Sequence, residues 1–413
     1  MSLSTEIDAD NVVELDPGSA AFKANAHRYM AEWARRRPFY MVGPGQRPQL
    51  VVGRYADVRQ VFSDTETFAS EMPRGPGWEQ FNKIMDAHFV TQMDGDQHAR
   101  VRRLLMPAFS SRRLAQLESL ITEIIDGMLD EIERHGGEFD GMQDYGAQLV
   151  VGALLTAMVN LDERQKEIFL AFHEVLPRTT YTKPGETFAP ECMHAFERAA
   201  QLVNEIIAER RARPRADFIS DLIAAREEGD DRLTDRELFD QIFTICGAAL
   251  SATSRAAGGA LYTLYSHPDQ LAELVREPGR IPAAVEECLR IAGNGYFTFP
   301  RLARRDTELG GTRILKDMVV RPSPQAANYD PDVYPDPLRF DIHRNPKRIM
   351  AFGAGPHHCI GNILGRTTIV IAIRRLLARF PEARLADPHF VPSYGGAVGE
   401  LRLQHLPMRT RCL

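Results

Sequence analysis

From about residue 95 to residue 292, apolar positions recur at three- and four-residue steps, the spacing of one buried helix face. The clearest stretch, "RRLAQLESLITEIIDGMLDEIERHG" from Arg112, predicts a long amphipathic helix. Strand-like pieces are short. "QLVVGRY" from Gln49 reads as one strand, and "LARRDTELGGTRILKDMVV" from Leu302 as a hairpin turning at Gly310-Gly311. From Ala326, "AANYDPDVYPDPLRFDIHRNPKR" is punctuated by proline and aspartate, which excludes regular structure. Loops that long are functional or tied down. A last helix is predicted from about Ile360 to Phe380. No repeat, low-complexity tract or linker interrupts the chain. The expectation is a mainly α protein with a minor β-sheet region. It forms a single large domain, residues 1–413, in which about the first twenty residues are an extended lead.

Composition narrows the class. At 413 residues the chain can bury a large core, and its apolar fraction of 44% and charged fraction of 26% are those of a globular protein. A net charge of −6 argues against nucleic acid as a partner. The five cysteines, Cys192, Cys246, Cys288, Cys359 and Cys412, are scattered and never paired as CxxC. That argues against a disulfide framework or a zinc site and points to a reducing cytoplasm. The acidic start "MSLSTEIDADNVVELDPGS" has no long apolar run, so neither a signal peptide nor a membrane anchor is expected.

Chemistry concentrates in "FGAGPHHCIG", residues 352–361. A cysteine just ahead of a helix meets amide hydrogens and the positive end of the helix dipole, which favour thiolate over thiol. Cys359 is therefore a candidate metal ligand, although a structural cysteine in a turn accounts equally for the residue alone. The spacing Phe-Gly-x-Gly-x-His-x-Cys-x-Gly, however, resembles the haem-thiolate signature of the cytochrome P-450 superfamily at every defined position. The resemblance implies that Cys359 is the axial ligand of haem b, iron protoporphyrin IX. Phe352 and Gly361 then shape the loop around the cofactor. Further stretches resemble the same family in order. "EECLR" carries Glu287 and Arg290, which the family pattern joins to an arginine downstream, supplied by "PLRF" as Arg339, in a structural triad. "DQHARVRRLL" supplies His98 and Arg102 for a haem propionate, and Arg301 and His357 match the remaining propionate partners.

The central helix departs from the family pattern. Normally it carries an acid and a threonine that relay protons during oxygen activation, but "QIFTICGAALSATSRAAGGALYTLYSHP", from Gln241 to Pro268, contains no aspartate or glutamate. Anchoring on Cys246-Gly247 places Ala249 and Leu250 at the acid and alcohol positions. Counting back from His267-Pro268 places Ser251 and Ala252 there, and this register is preferred because it needs no insertion in a continuous helix. Thr253 and Ser251 remain as hydroxyls, and a hydroxyl without an acid is a poor proton source. Arg255, one turn beyond Ser251, is expected to reach solvent or a neighbouring carboxylate.

By the same resemblance, substrate contacts fall on Trp78, Phe81, Phe89, Tyr296, Phe297, Phe299 and Tyr394, and aromatic walls imply a lipophilic or aromatic guest, although an aromatic in a loop is more often local core than a ligand contact. The chain has no GxGxxG fingerprint and no iron–sulfur cysteine cluster. A separate ferredoxin and ferredoxin reductase, with NAD(P)H as ultimate donor, are implied. Arg100, Arg103, Arg112, Arg113, Lys347 and Arg348 form a basic set that either steers an acidic redox partner or is ordinary solvated surface charge. The expected activity is a haem-thiolate monooxygenase. The alternatives are a peroxide-dependent, coupling or reductive haem-thiolate enzyme, and a haem protein that binds a ligand without turnover.

Overall fold

The strand predicted at Gln49 forms over Gln49–Val52, and its alternating side chains enter two different cores. Leu50 and Val52 pack with Val58, Val61, Phe62, Ile314 and Val320, whereas Val51 packs with Phe39, Met41, Met30 and Trp33. A strand buried on both faces belongs in the middle of a sheet. In the sheet order, Val12–Glu14, Phe39–Val42, Gln49–Val52, Val319–Pro322, Arg301–Ala303 and Phe68–Ala69, it does lie in the interior. The computed structural model describes residues 7–43, 48–70, 89–179, 189–225, 231–293, 295–396 and 399–410, with backbone alone at 176–179, 248–249 and 251. Contacts divide the chain into two compact units.

The first unit comprises Met1–Pro73, Glu286–Cys359 and Tyr394–Arg402, and holds the six-stranded sheet. Its pairings mix parallel and antiparallel: Leu50 lies opposite Val320 in a parallel pair, and Phe68 opposite Ala303 in an antiparallel one. The predicted hairpin forms between Thr307–Leu309 and Thr312–Ile314. Gly310 and Gly311 turn it with φ of +55° and +82°, the two left-handed residues of a two-residue turn that matches strand twist. The N-terminal lead is more than an extension. Asp8 caps the turn Ala9–Asn11, Val12–Glu14 pairs in parallel with Tyr40–Val42, and Ser19 caps the helix Ala20–Ala24. Two valines and a run of capping residues give that segment a place on the sheet edge.

The second unit comprises Arg74–Val285, Ile360–Ser393 and Leu403–Leu413 and is mostly helical. Ser110 caps the predicted amphipathic helix, Ser111–Arg134, whose buried face is Leu114, Leu117, Ile121, Ile125, Leu129 and Ile132. The predicted C-terminal helix forms over Asn362–Arg379 and packs on it. Arg375 grips Asp126 with two bonds of 2.6 and 2.7 Å. The central helix, Asp235–Tyr265, opens on a capping box between Thr234 and Glu237. Arg100, on the helix Gly95–Leu105, joins that box at 2.7 Å and also forks onto Asp231. Among the described residues no helix is long and apolar enough to cross a membrane.

Candidate functional site

The cysteine loop closes the first unit. Gly353 and Gly355 take φ of +69° and +66°, a left-handed region costly to any residue with a Cβ. These bends let the Cys359 N–H donate to the Phe352 carbonyl at 2.9 Å and the His358 N–H to Gly355 at 3.1 Å. Gly355 is also pressed against the helix Tyr55–Ser63. A Cβ there would stand 2.5 Å from the Phe62 carbonyl oxygen. Gly361, which caps the C-terminal helix with an ordinary φ of −85°, has open space where a Cβ would point.

Cys359 is exposed, while Cys192, Cys246 and Cys288 are buried. Burial pushes the Cys246 thiol up to about 12 and that of Cys288 well above its ordinary value, so neither is a thiolate at neutral pH. Among the described residues no group of three His, Cys, Asp or Glu could hold a metal ion.

A buried network of charge leads from the sheet unit's helix to this loop. Glu287 and Arg290, on the helix Ile281–Ile291, are fully buried and joined by two bonds, 2.7 and 2.8 Å. Arg290 also donates to the carbonyls of Asn328 at 2.9 Å and Pro337 at 2.7 Å. Asn328 Oδ1 in turn accepts the Met350 N–H at 2.7 Å, two residues before Phe352. The third arginine is a correction to the sequence expectation. Arg344, not Arg339, places its Nε 3.0 Å from Glu287, while the Arg339 side chain is exposed. Arg339 contributes its carbonyl, which accepts from Arg290 at 3.3 Å and Arg344 at 3.1 Å. The signal was a second arginine in "DIHRNP". Asp341 bends the chain there, accepting the His343 N–H at 2.9 Å and returning Arg344 to Glu287.

His357 and Arg301 also lie in the first unit. His357 Nε2 is 2.9 Å from Ser70 Oγ. Arg301 is buried, its guanidinium 5.8 Å from the centre of the Phe62 ring. His98 and Arg102 lie in the second unit, four residues apart on Gly95–Leu105, with His98 buried and Arg102 half-buried. The central helix is unbroken from Asp235 to Tyr265, the condition on which the Ser251-Ala252 register depends. Ser251 has only its backbone described; Ala252 and Thr253 are half-buried. Arg255 is buried, which sets aside the solvent alternative for its side chain and leaves that of a neighbouring carboxylate.

Of the expected substrate contacts, Trp78 and Phe81 lie outside the described residues. Phe89 is buried. Phe297 stacks on Trp33 at 5.4 Å and 9°, and Tyr296 donates to the Pro17 carbonyl at 2.5 Å, so both rings are committed to local core. Tyr394 meets His27 edge-on, whereas Phe299 is 57% exposed. The basic set also divides. Arg100 is taken by Asp231 and Glu237, and Arg113 by Asp221 at 3.0 Å. Arg112, Lys347 and Arg348 are exposed, the last two lining a surface cleft of about 470 Å³ with Asp332, Tyr334 and Arg344.

Residues 15–383 match the family profile described as Cytochrome P450. The chain belongs to the cytochrome P450 family. Nocardicin C N-oxygenase of Nocardia uniformis subsp. tsuyamanensis is 33% identical over 345 residues, covering 82% of this chain and 83% of the relative. The 6-deoxyerythronolide B hydroxylase of Saccharopolyspora erythraea is 29% identical, covering 95% and 98%. The solved cytochrome P450 CYP109Q5 from Chondromyces apiculatus superposes with a TM-score of 0.84 at 27% identity, covering 97% of this chain and 98% of that one. This P450 is thus a monooxygenase of mainly α fold with a small sheet region, and the family implies haem as its cofactor. The exposed sulfur, the glycine loop that presents it and the nearby His357 and Arg301 fit that group.

Proposed function

We propose that this P450 binds haem b through Cys359 and inserts one oxygen atom from O2 into a lipophilic or aromatic small molecule, with electrons from a separate ferredoxin and its reductase. NAD(P)H is the ultimate donor and the cytoplasm its place of work. The observation that carries the reading is the exposed thiol of Cys359, the one exposed cysteine among the described residues, at the end of a loop closed by its own N–H. Bound haem supplies the dioxygen activation; the chain supplies everything that holds and tunes it. Cys359 would hold the haem iron through its sulfur, and the loop's backbone would restrain that sulfur. His357 and Arg301 provide donors for carboxylates, for which a planar guanidinium is well shaped. His98 and Arg102 keep the same expectation. Phe299, exposed and aromatic, is a side chain that would meet an apolar guest. Lys347 and Arg348, exposed beside the cleft, give an acidic electron donor a basic landing point.

The test is spectroscopic and then catalytic. The reduced protein under carbon monoxide should show the strongly red-shifted Soret band of thiolate ligation, and Cys359→Ser should abolish it. With a surrogate ferredoxin system, NADH consumption should yield oxygenated product from lipophilic test compounds. A Cys359→Ser protein that keeps the band and the turnover overturns the proposal. A second reading rests on the stretch from Gln241 to Tyr265, which holds no carboxylate. Without that proton source, peroxide-driven or coupling chemistry becomes accessible. Product formed from hydrogen peroxide alone, without reductase, decides for it.

A further inference from the structure

We infer that Ser70, a residue of none of the motifs above, is a positioning residue for the cofactor's carboxylates, acting through His357. The inference rests on the haem site proposed above and concerns how one edge of it is held.

Three observations in the first unit converge. The Ser70 hydroxyl is 2.9 Å from His357 Nε2, and Ser70 is only 2% exposed, so the serine's side of that bond is shielded from water. The strand Phe68–Ala69 runs antiparallel to Arg301–Ala303 with Ala69 opposite Leu302. Extending that register by one residue sets Ser70 opposite Arg301, on the same face of the sheet. Finally, His357 ends the turn Gly355–His357, and Gly355 is wedged against the Phe62 carbonyl, so the backbone beneath the imidazole has one place to be. Phe62 also lies under the Arg301 guanidinium. Hydroxyl, imidazole and guanidinium therefore share a single corner fixed by one sheet pair and one helix end.

The chemistry gives the hydroxyl a direction. A neutral imidazole has one N–H, and it can donate to a carboxylate only through that nitrogen. With Nε2 facing Ser70, the ring can act as such a donor from Nδ1 when the serine donates its own proton to Nε2. Ser70 thus selects the tautomer and stops the ring from turning, the part that outer groups commonly play for functional histidines. Without it the imidazole loses the hydrogen bond at Nε2 that favours the Nδ1–H tautomer, and its carboxylate bond is held for less of the time.

The experiment measures cofactor retention in the holoprotein: transfer of haem to excess apomyoglobin, followed by absorbance, in wild type, Ser70→Ala, Ser70→Thr, His357→Ala and the Ser70→Ala/His357→Ala double variant. A single hydrogen bond's worth of positioning predicts release from Ser70→Ala roughly fivefold faster than from wild type. Ser70→Thr, which keeps the hydroxyl, should stay within about twofold, and Ser70→Ala should add less than about twofold when His357 is already alanine. The carbon-monoxide band of Ser70→Ala should remain that of thiolate ligation. Release from Ser70→Ala indistinguishable from wild type, an undiminished effect in the absence of His357, or loss of the thiolate band would each overturn the inference. Failure of the wild type to take up haem overturns the site itself, whereas any of the three results above overturns the role of Ser70 alone.

Discussion

Arg344 and Arg339 sit five residues apart, both are arginines, and only one of them should matter as a side chain. Replacing Arg344 with alanine removes the 3.0 Å bond to Glu287 and three donations to the carbonyls of Pro335, Asp336 and Arg339. Glu287 is fully buried but keeps its two-bonded grip on Arg290, so the change weakens the carboxylate's pairing without stranding it. A charged hydrogen bond contributes about 1.5–3 kcal/mol, and a fully broken buried pair costs about 3–5 kcal/mol. Arg344 itself is 14% exposed at the side chain, and water recovers part of the loss. The expected cost of Arg344→Ala is therefore about 2–4 kcal/mol. Arg339→Ala deletes an exposed side chain and leaves the carbonyl in place, so it should fall within about 0.5 kcal/mol of wild type. Unfolding entropy of about 2.1 cal/mol/K per residue converts the first figure to a fall in melting temperature of roughly 2–5 °C and the second to less than about 1 °C. Calorimetry of the two variants side by side is the assay. An Arg339→Ala melting temperature lowered as far as that of Arg344→Ala would refute the assignment of the third arginine.

Gly355→Ala should prevent the cysteine loop from closing, because the added Cβ meets a carbonyl oxygen at 2.5 Å with φ at +66°; haem content after reconstitution should collapse, while Gly279→Ala, with nothing near its Cβ, should load normally. Partial burial pulls the Glu237 carboxyl upward, but donation from the Thr234 N–H and from Arg100 outweighs it and holds the group below the usual carboxylate range. A depressed folded value means stability that is complete above the unfolded value of about 4.3 and lost as pH falls toward the folded one. Melting temperature measured from pH 6 down to pH 3 should therefore drop less steeply in Glu237→Gln than in wild type. Replacing Ser251-Ala252 with Asp-Thr should raise product formed per NADH in reductase-driven turnover. Unchanged rate and coupling would count against that register.

Local signals make much of this molecule legible in its sequence. The helix from Ser111 announced itself by spacing, the hairpin by Gly310-Gly311, and the cysteine loop by glycines whose φ values no other residue holds cheaply. What stayed hidden depended on partners far along the chain. Val12–Glu14 is a strand only because Phe39–Val42 lies ready to pair with it. Arg344 was passed over for Arg339 because the turn at Asp341 that redirects it is a side-chain to backbone bond with no periodic trace. Whether Phe297 is a substrate wall or local core depends on Trp33, more than 260 positions earlier, which stacks on it. Ser70 carried no motif at all, and its interest comes solely from a strand register and one hydrogen bond.

The parallel pairing of Leu50 with Val320 also sets a timetable for synthesis. The early strands leave the ribosome roughly 270 residues before their neighbour does, which at typical translation speeds is a delay of roughly 15–55 s. Throughout that interval Leu50 and Val52 have no permanent lodging, and Gln49–Val52 offers a bare flank to any other extended chain. Recombinant yield should accordingly respond to slower elongation, lower temperature and the availability of chaperones more than to changes in the late-made helices.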